Sequence, residues 1–252
     1  MPIHATVEDG VGTLVLSDPP LNILSRAVMA ELRAKLRDLA ADQTLRVLLL
    51  QADGKHFSAG ADVGEHLPPD YKEMIPEFLD TVAAIDAFPL PTVAAVQGRC
   101  LGGGFELVLA ADLVVASESA KLGQPEIMLG VIPPAACALL PDLCPRGAAA
   151  EIVFTGEAIS AKRGLEMGLV WKVVADDTLG EEARDAATKI ARHSGAALRI
   201  AKRSLRVTTA VTHTAAMAAV GKIYVEELMD TEDALEGLNS FLEKRQPTWK
   251  HA

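Results

Sequence analysis

The chain has 252 residues, half of them hydrophobic and 23% charged, with a formal net charge of −10. That is enough for one large, well-filled domain or a domain with an appendage. The acidic balance argues against nucleic acid or an anionic membrane as the main partner, though a small anionic ligand can still be held by a few cations and backbone amides. Cys100, Cys137 and Cys144 show no zinc-like spacing and read as reduced thiols. The N-terminus MPIHATVEDG carries no secretory signal, and no apolar run approaches the ~20 residues of a membrane span. A cytoplasmic location is therefore expected.

The first predicted element is a strand over Val11–Leu16, stopped by Asp18-Pro19-Pro20. Ser25 then caps a helix reaching about Ala41, with Val28, Met29, Leu32, Leu36 and Leu39 at helical spacing. Arg46–Gln51 reads as a buried strand. Small residues at 58 to 61 allow close backbone approach. Residues 64 to 72, polar and Pro-rich, read as a mobile surface loop. A helix over Met74–Phe88 ends at Pro89 and Pro91, and a strand over Thr92–Gln97 follows. Beyond Pro145, helices are expected over Ala148–Phe154 and, capped by Ser160, Ala161–Met167. A strand over Leu169–Val174 precedes helices at 181–193, 196–207, 212–228 and 231–245. This alternation predicts an α/β or mixed layered fold with a helical C-terminal third, leaving open a doubly wound sheet or a spiral of strand-strand-helix turns.

The chemistry concentrates between Val93 and Pro134. Gly102-Gly103-Gly104 opens an apolar helix, whose start exposes unpaired N–H groups able to cradle a negative oxygen. Tight packing explains a glycine triplet equally well. Glu106 lies in the first turns of that helix among apolar neighbours, and Glu126 follows the bend Gly123-Gln124-Pro125. Singly, each glutamate has a bland explanation, as compensation of a helix dipole or a surface acid. Together, beside a turn of backbone donors, they suit proton transfer at carbon next to a carbonyl.

These segments resemble the crotonase, or enoyl-CoA hydratase/isomerase, superfamily. The likeness runs through Leu21-Asn22-Ile23-Leu24-Ser25, His56-Phe57-Ser58-Ala59-Gly60-Ala61-Asp62, Gly102-Gly103-Gly104-Phe105-Glu106-Leu107, Gly123-Gln124-Pro125-Glu126, Phe154-Thr155-Gly156-Glu157 and Phe241-Leu242-Glu243-Lys244-Arg245. The resemblance implies a crotonase-like α/β spiral of repeated strand-strand-helix turns over residues 1–190 and a helical trimerisation region over 191–252. It also implies a homotrimer or dimer of trimers acting on an acyl-CoA thioester. Coenzyme A would enter with the substrate, with no separate cofactor and no metal. The backbone N–H groups of Ala61 and Gly103 would form an oxyanion hole, with Glu106 and Glu126 as the catalytic pair. Ser58, Ala59, Gly60, Asp62, Gly102, Pro133, Phe241 and Lys244 would bind substrate or its coenzyme A portion. Lys55 and Arg26 are further candidates for phosphate contact, though Arg26 reads more naturally as a surface charge.

Retention of both acids favours a hydratase over an isomerase and over a non-catalytic acyl-CoA-binding relative. The acidic balance speaks against the RNA binding that some relatives show. Most hydratases continue the second-acid segment as Pro-Gly-X-Gly-Gly-Thr-Gln-Arg-Leu, whereas here it reads Ile132-Pro133-Pro134-Ala135-Ala136-Cys137-Ala138-Leu139-Leu140-Pro141. This segment resembles a subgroup, the cyclohexa-1,5-dienecarbonyl-CoA hydratases, and is expected to reshape the acyl pocket. Cys137 has no histidine partner in sequence and reads as a small core thiol.

Overall fold

The structure, a computed structural model, describes residues 2–206 and 210–248. The first half runs β1 (Ile3–Glu8), β2 (Val11–Leu16), α1 (Arg26–Ala41), β3 (Val47–Ala52), α2 (Tyr71–Asp86), β4 (Thr92–Val96), β5 (Arg99–Leu101), α3 (Gly103–Leu109), β6 (Leu113–Ser117) and β7 (Lys121–Gly123). The second half runs α4 (Pro134–Leu143), α5 (Arg146–Thr155), β8 (Ile159–Ser160), α6 (Ala161–Met167), β9 (Lys172–Val174), α7 (Leu179–Ala191), α8 (Gly195–Arg206), α9 (Ala210–Glu226) and α10 (Glu232–Leu242).

Two sheets organise these elements. The larger has the order β1-β2-β3-β4-β6-β9, antiparallel at β1–β2 and parallel from there on. The smaller has the order β5-β7-β8, and Ser58 bridges onto it at Cys100. Each central turn of chain crosses the large sheet, steps to the small one and leaves by a helix: β3 to Ser58 to α2, then β4 to β5 to α3, then β6 to β7 to α4. The fold is therefore the spiral of strand-strand-helix turns.

Alternation along the strands divides the core into two faces. Leu48, Leu50, Ala94, Val96, Val114 and Ala116 face the main core with α1, α2 and α3. Val47, Leu49, Val93, Ala95 and Val115 face Leu179, Ala183 and Ala187 of α7. Burial on both faces explains why β3 and β4 carry near-continuous apolar runs.

Three departures from the predicted elements have local causes. β1 escaped prediction because it is an edge strand whose residues are mostly solvent-facing, so it lacks apolar periodicity. Its hairpin partner is set by Asp9-Gly10, both at positive φ (52° and 79°), as a two-residue hairpin turn requires. The predicted mobile loop at 64 to 72 is instead a 3₁₀ turn, Gly64–His66, followed by the start of α2 at Tyr71. Pro76 lies inside α2, but buried Tyr71, Met74, Ile75, Phe78 and Leu79 hold the helix on both sides of it. The predicted strand over Leu169–Val174 shortens to β9, because the N–H groups of Leu169 and Val170 both turn back to the Gly164 carbonyl.

The C-terminal helices fold back over the same core, with α9 packed on α4 and α2. The predicted helix end at 207 and the last four residues of the expected 191–252 region lie outside the described residues. Lys202 on α8 is 6% exposed. Its Nζ donates to the Leu90 carbonyl (2.9 Å) and pairs with Asp112 Oδ2 (2.6 Å), which also accepts from the Thr92 amide and hydroxyl. Asp112, the charge that interrupts the most apolar sequence segment, thus anchors α8 beside β4. Lys202→Ala takes the ammonium from beside Asp112, and urea unfolding should register a loss of about 3 kcal/mol. A loss below about 0.5 kcal/mol, typical of a surface pair, would mean that this contact does not anchor α8.

Candidate active site

Two backbone segments meet at the C-terminal ends of the central strands. In the first, Ser58 lies beside β5, its N–H donating to the Arg99 carbonyl (3.2 Å) and its carbonyl accepting from Leu101 (3.0 Å). Its buried hydroxyl donates to the Asn22 carbonyl (2.8 Å) and accepts from the Gly60 N–H (3.1 Å), pinning the tight turn from within. Gly60 has φ 108°, and a Cβ there would sit 3.1 Å from the Leu101 carbonyl oxygen and 3.4 Å from the Gly103 nitrogen. Reciprocally, a Cβ on Gly103 would lie 3.2 Å from the Ala61 nitrogen. Glycine at both positions lets the two backbones approach.

Most N–H groups of this loop are satisfied internally: Ala59 by Leu21, Gly60 by Ser58, and Asp62 by Leu24. The N–H groups of Ala61 and Gly103 have no acceptor among the described residues. Gly103 is the first residue of α3, where no intrahelical acceptor exists. Backbone donors shielded from water are nearly always paired, and these two line the cavity unpaired.

Glu106, on the next turn of α3, is 2% exposed. Its Oε1 accepts from the N–H groups of Ala135 (2.7 Å) and Ala136 (2.9 Å), in the first turn of α4. Burial pushes the carboxyl up to about 7, while these two amides pull the other way by favouring the anion. Glu126 lies in a 3₁₀ turn, Pro125–Leu129, after β7. Its Oε1 rests over Gly102, where φ is 52° and a Cβ would come within 2.7 Å of that oxygen. Burial first, and the Glu106 charge second, hold the Glu126 carboxyl well above the usual carboxylate range. Gln124 is fully buried, and with its amide nitrogen turned to Glu126 it donates to both carboxyl oxygens (3.2 and 3.1 Å).

These groups share one narrow cavity. Ala61, Gly102, Gly103, Glu106 and Glu126 provide its polar part. Met74, Ile75 and Phe78 of α2, Leu129, Ile132 and Leu238 provide apolar walls. Ala59 lines it too, and so does His66, whose Nδ1 lies 2.9 Å from the Asp62 carbonyl and whose basicity burial lowers. Since a carbonyl only accepts, Nδ1 carries the proton in that contact.

Other candidates lie around the cavity. Ser58 and Gly60 shape the loop, and Asp62 Oδ1 accepts from the Gly64 N–H (2.8 Å). Pro133 is buried at the cap of α4, while its neighbours Ile132 and Pro134 reach the cavity wall. Phe241 and Lys244 are exposed and do not line the cavity. Arg26 is committed to Glu73 (2.6 Å) and Glu77 (2.8 Å), and Lys55 is exposed. Burial pushes the Cys137 thiol up to about 12, with the two glutamates adding to the effect, so it stays protonated near neutrality. His66, Gln124 and the α4 amides were not among the sequence candidates. Gln124 had a signal, an amide two residues before an acid; the amides had none.

Two carboxyls of raised proton affinity and two unpaired backbone donors thus line one cavity. Comparison with known proteins assigns the chain to a family. The family model described as enoyl-CoA hydratase/isomerase matches residues 6–252, and the chain belongs to that family. It is 38% identical to the cyclohexa-1,5-dienecarbonyl-CoA hydratase of Thauera aromatica, over 94% of this chain and 92% of that protein. It is 36% identical to the 2,3-dehydroadipyl-CoA hydratase of Escherichia coli K12, over 91% and 90%. Among solved structures, an enoyl-CoA hydratase/isomerase from Pseudoalteromonas atlantica superposes with a TM-score of 0.91 at 29% identity, covering 99% of this chain and all of that one.

The raised glutamates carry a stability signature. With a folded value near 7 against an ordinary 4.5, Glu106 binds more protons folded than unfolded in that window. Its contribution to stability therefore falls as pH rises from 4.5 to 7. Glu106→Gln, which keeps an oxygen for the two amides, should be more stable than wild type at pH 8 by on the order of 1–2 kcal/mol. The gain should shrink toward pH 5. Urea midpoints at the two pH values check this, and a variant weaker than wild type at pH 8 would contradict it.

Proposed function

We propose that the protein adds water across the carbon–carbon double bond of an α,β-unsaturated acyl-CoA thioester. The observation that carries this reading is the convergence of the unpaired Ala61 and Gly103 N–H groups with Glu106 and Glu126 in one apolar-walled cavity. The thioester carbonyl accepts from both N–H groups, which take up the charge of the developing enolate. Each such donor is worth about 3–4 kcal/mol in characterised acyl-transfer sites.

Glu106, favoured as the anion by two amides, removes a proton from the water as its oxygen bonds to the β-carbon. Glu126, held protonated by burial and by the Glu106 charge, gives its proton to the α-carbon. The pair ends with its proton on the opposite partner and resets by exchange with solvent. Coenzyme A enters with the substrate, so the proposed reaction uses no separate cofactor. The exposed Phe241 and Lys244 fit contacts with a neighbouring subunit and with the nucleotide end of coenzyme A.

For the acyl group, the reading extends to a ring. The apolar wall that Ile132 and Pro134 contribute suits a hydrocarbon ring, and the Thauera relative is named for a cyclic diene. A hydration assay on crotonyl-CoA, longer 2-enoyl-CoAs and cyclohexa-1,5-dienecarbonyl-CoA, with products weighed by mass spectrometry, tests both levels. Gain of one water by any of them supports a hydratase, and fastest turnover of the dienoyl thioester supports the ring. Double-bond migration without gain of water would replace the hydratase by an isomerase. Glu106→Gln and Glu126→Gln should each lower kcat by about 10²-fold or more with acyl-CoA affinity retained. Full activity in both would remove them from the mechanism.

A further inference from the structure

His66 ends the 3₁₀ turn Gly64–His66, between the loop that carries Ala61 and the start of α2. Its own neighbours tie this turn down. Asp62 Oδ1 accepts from the Gly64 N–H (2.8 Å), the Asp62 carbonyl from the Glu65 N–H (3.2 Å), and the Val63 carbonyl from the His66 N–H (3.2 Å). Glu65 is committed elsewhere, its Oε2 accepting from the Arg26 N–H (2.9 Å). The His66 imidazole lines the catalytic cavity. Apart from Glu106 and Glu126, it is the only side chain lining that cavity, among the described residues, to carry a nitrogen or oxygen atom.

The two ring nitrogens have different standing. Nδ1–H donates to the Asp62 carbonyl (2.9 Å), which fixes the ring and leaves Nε2 of the neutral imidazole as a lone pair. Burial, which lowers the basicity of the ring, favours that neutral form. Nε2 has no hydrogen-bond partner among the described residues, and it is not one of the atoms sealed from solvent without one. An acceptor beside the apolar walls of Met74, Ile75 and Phe78 calls for a donor on the ligand. A carboxylate has none and would face Glu106 and Glu126 as well. An ammonium would have to shed its hydration against those walls. A hydroxyl donates without either cost. We propose that His66 is a specificity-determining residue, its Nε2 accepting a hydrogen bond from a hydroxyl carried by the acyl group. This rests on the hydratase reading. An acyl group without the hydroxyl leaves the acceptor unpaired, which is how a polar group in an apolar site discriminates between substrates of similar shape.

The test compares trans-2-hexenoyl-CoA with its 4-, 5- and 6-hydroxy derivatives on the full chain. Wild type should favour at least one hydroxylated thioester over the parent by about tenfold in kcat/KM. His66→Asn keeps an amide N–H for the Asp62 carbonyl but has no counterpart of Nε2, so that ratio should collapse toward one. His66→Gln carries an amide oxygen far enough along the side chain to stand in for Nε2, and should keep most of the preference. If wild type favours no hydroxylated thioester, the proposal is overturned, and a preference that survives in His66→Asn overturns it too. Equal losses on parent and hydroxylated thioesters in both variants would make the imidazole a prop for the Ala61 loop, which also overturns it. If wild type adds water to none of these thioesters, the hydratase reading fails on its own. Calorimetric dissociation constants of the same thioesters with wild type and His66→Asn then decide the His66 contact by the same ratio.

Discussion

Two carboxyls drawn from bulk water to face one cavity, Glu106 buried and Glu126 half-buried, are the constraint on which this site depends. Each loses hydration, and each anion repels the other, so the pair resists holding two charges at once. The surrounding groups are arranged unequally. Glu106 receives two backbone amides whose direction is fixed by the start of α4. Glu126 receives a neutral side-chain amide from Gln124 and packs on the bare backbone of Gly102. Such inequality is how two chemically identical side chains come to differ in proton affinity, the prerequisite for one acting as base while the other acts as acid. The asymmetry is a matter of balance between burial and a handful of donors.

The spiral makes this arrangement attainable. Each turn of chain returns to the small sheet one strand further on, so segments distant in sequence come to lie side by side. Ser58 reaches β5 through backbone bonds to Arg99 and Leu101, and Gly102 reaches β7 through Gly123. Those ladder contacts bring the Ala61 and Gly103 nitrogens together at one end and place Glu126 over Gly102 at the other. The donor pair and the acid pair are therefore not independent inventions of two loops. Both are held by the same short sheet, and a displacement of β5 would disturb both.

How much of this was legible depended on the range of the cause. α1 was legible from its cap to about its end, because Ser25 and the Val28, Met29, Leu32, Leu36 and Leu39 stripe belong to the helix itself. The Ser160 cap and α6 were legible for the same reason. β5, β7 and β8 are two or three residues long and exist only through pairing with distant partners, so no periodicity announces them. Glu106 and Glu126 stood out as charges in apolar company, and the resemblance to a family supplied their roles. The loop at 58 to 61 carried only small residues, and its meaning came from what it faces. Gln124 looked like part of a bend until its burial against Glu126 was visible. That the Ala61 and Gly103 N–H groups lack acceptors is a property of three-dimensional neighbours that no local pattern encodes.

The segment where the sequence leaves the common hydratase pattern shows how one stretch can serve two functions through separate atoms. Pro134 opens α4 at a position where a missing N–H costs nothing, and its ring presets the helical φ. The next two residues contribute only their N–H groups to Glu106, and any residue but proline could supply those. Both side chains are fully buried in the core, so small size, and not any particular chemistry, is what these positions demand. The side chains of Val131, Ile132 and Pro134 meanwhile form the cavity wall. Electrostatics here reside in the backbone and shape in the side chains. A change of wall side chain here alters the shape of the cavity while Glu106 stays in the same field of amides. Where the common pattern has glycines, Pro134, Ala136 and Cys137 stand here, and the two amides that hold Glu106 remain.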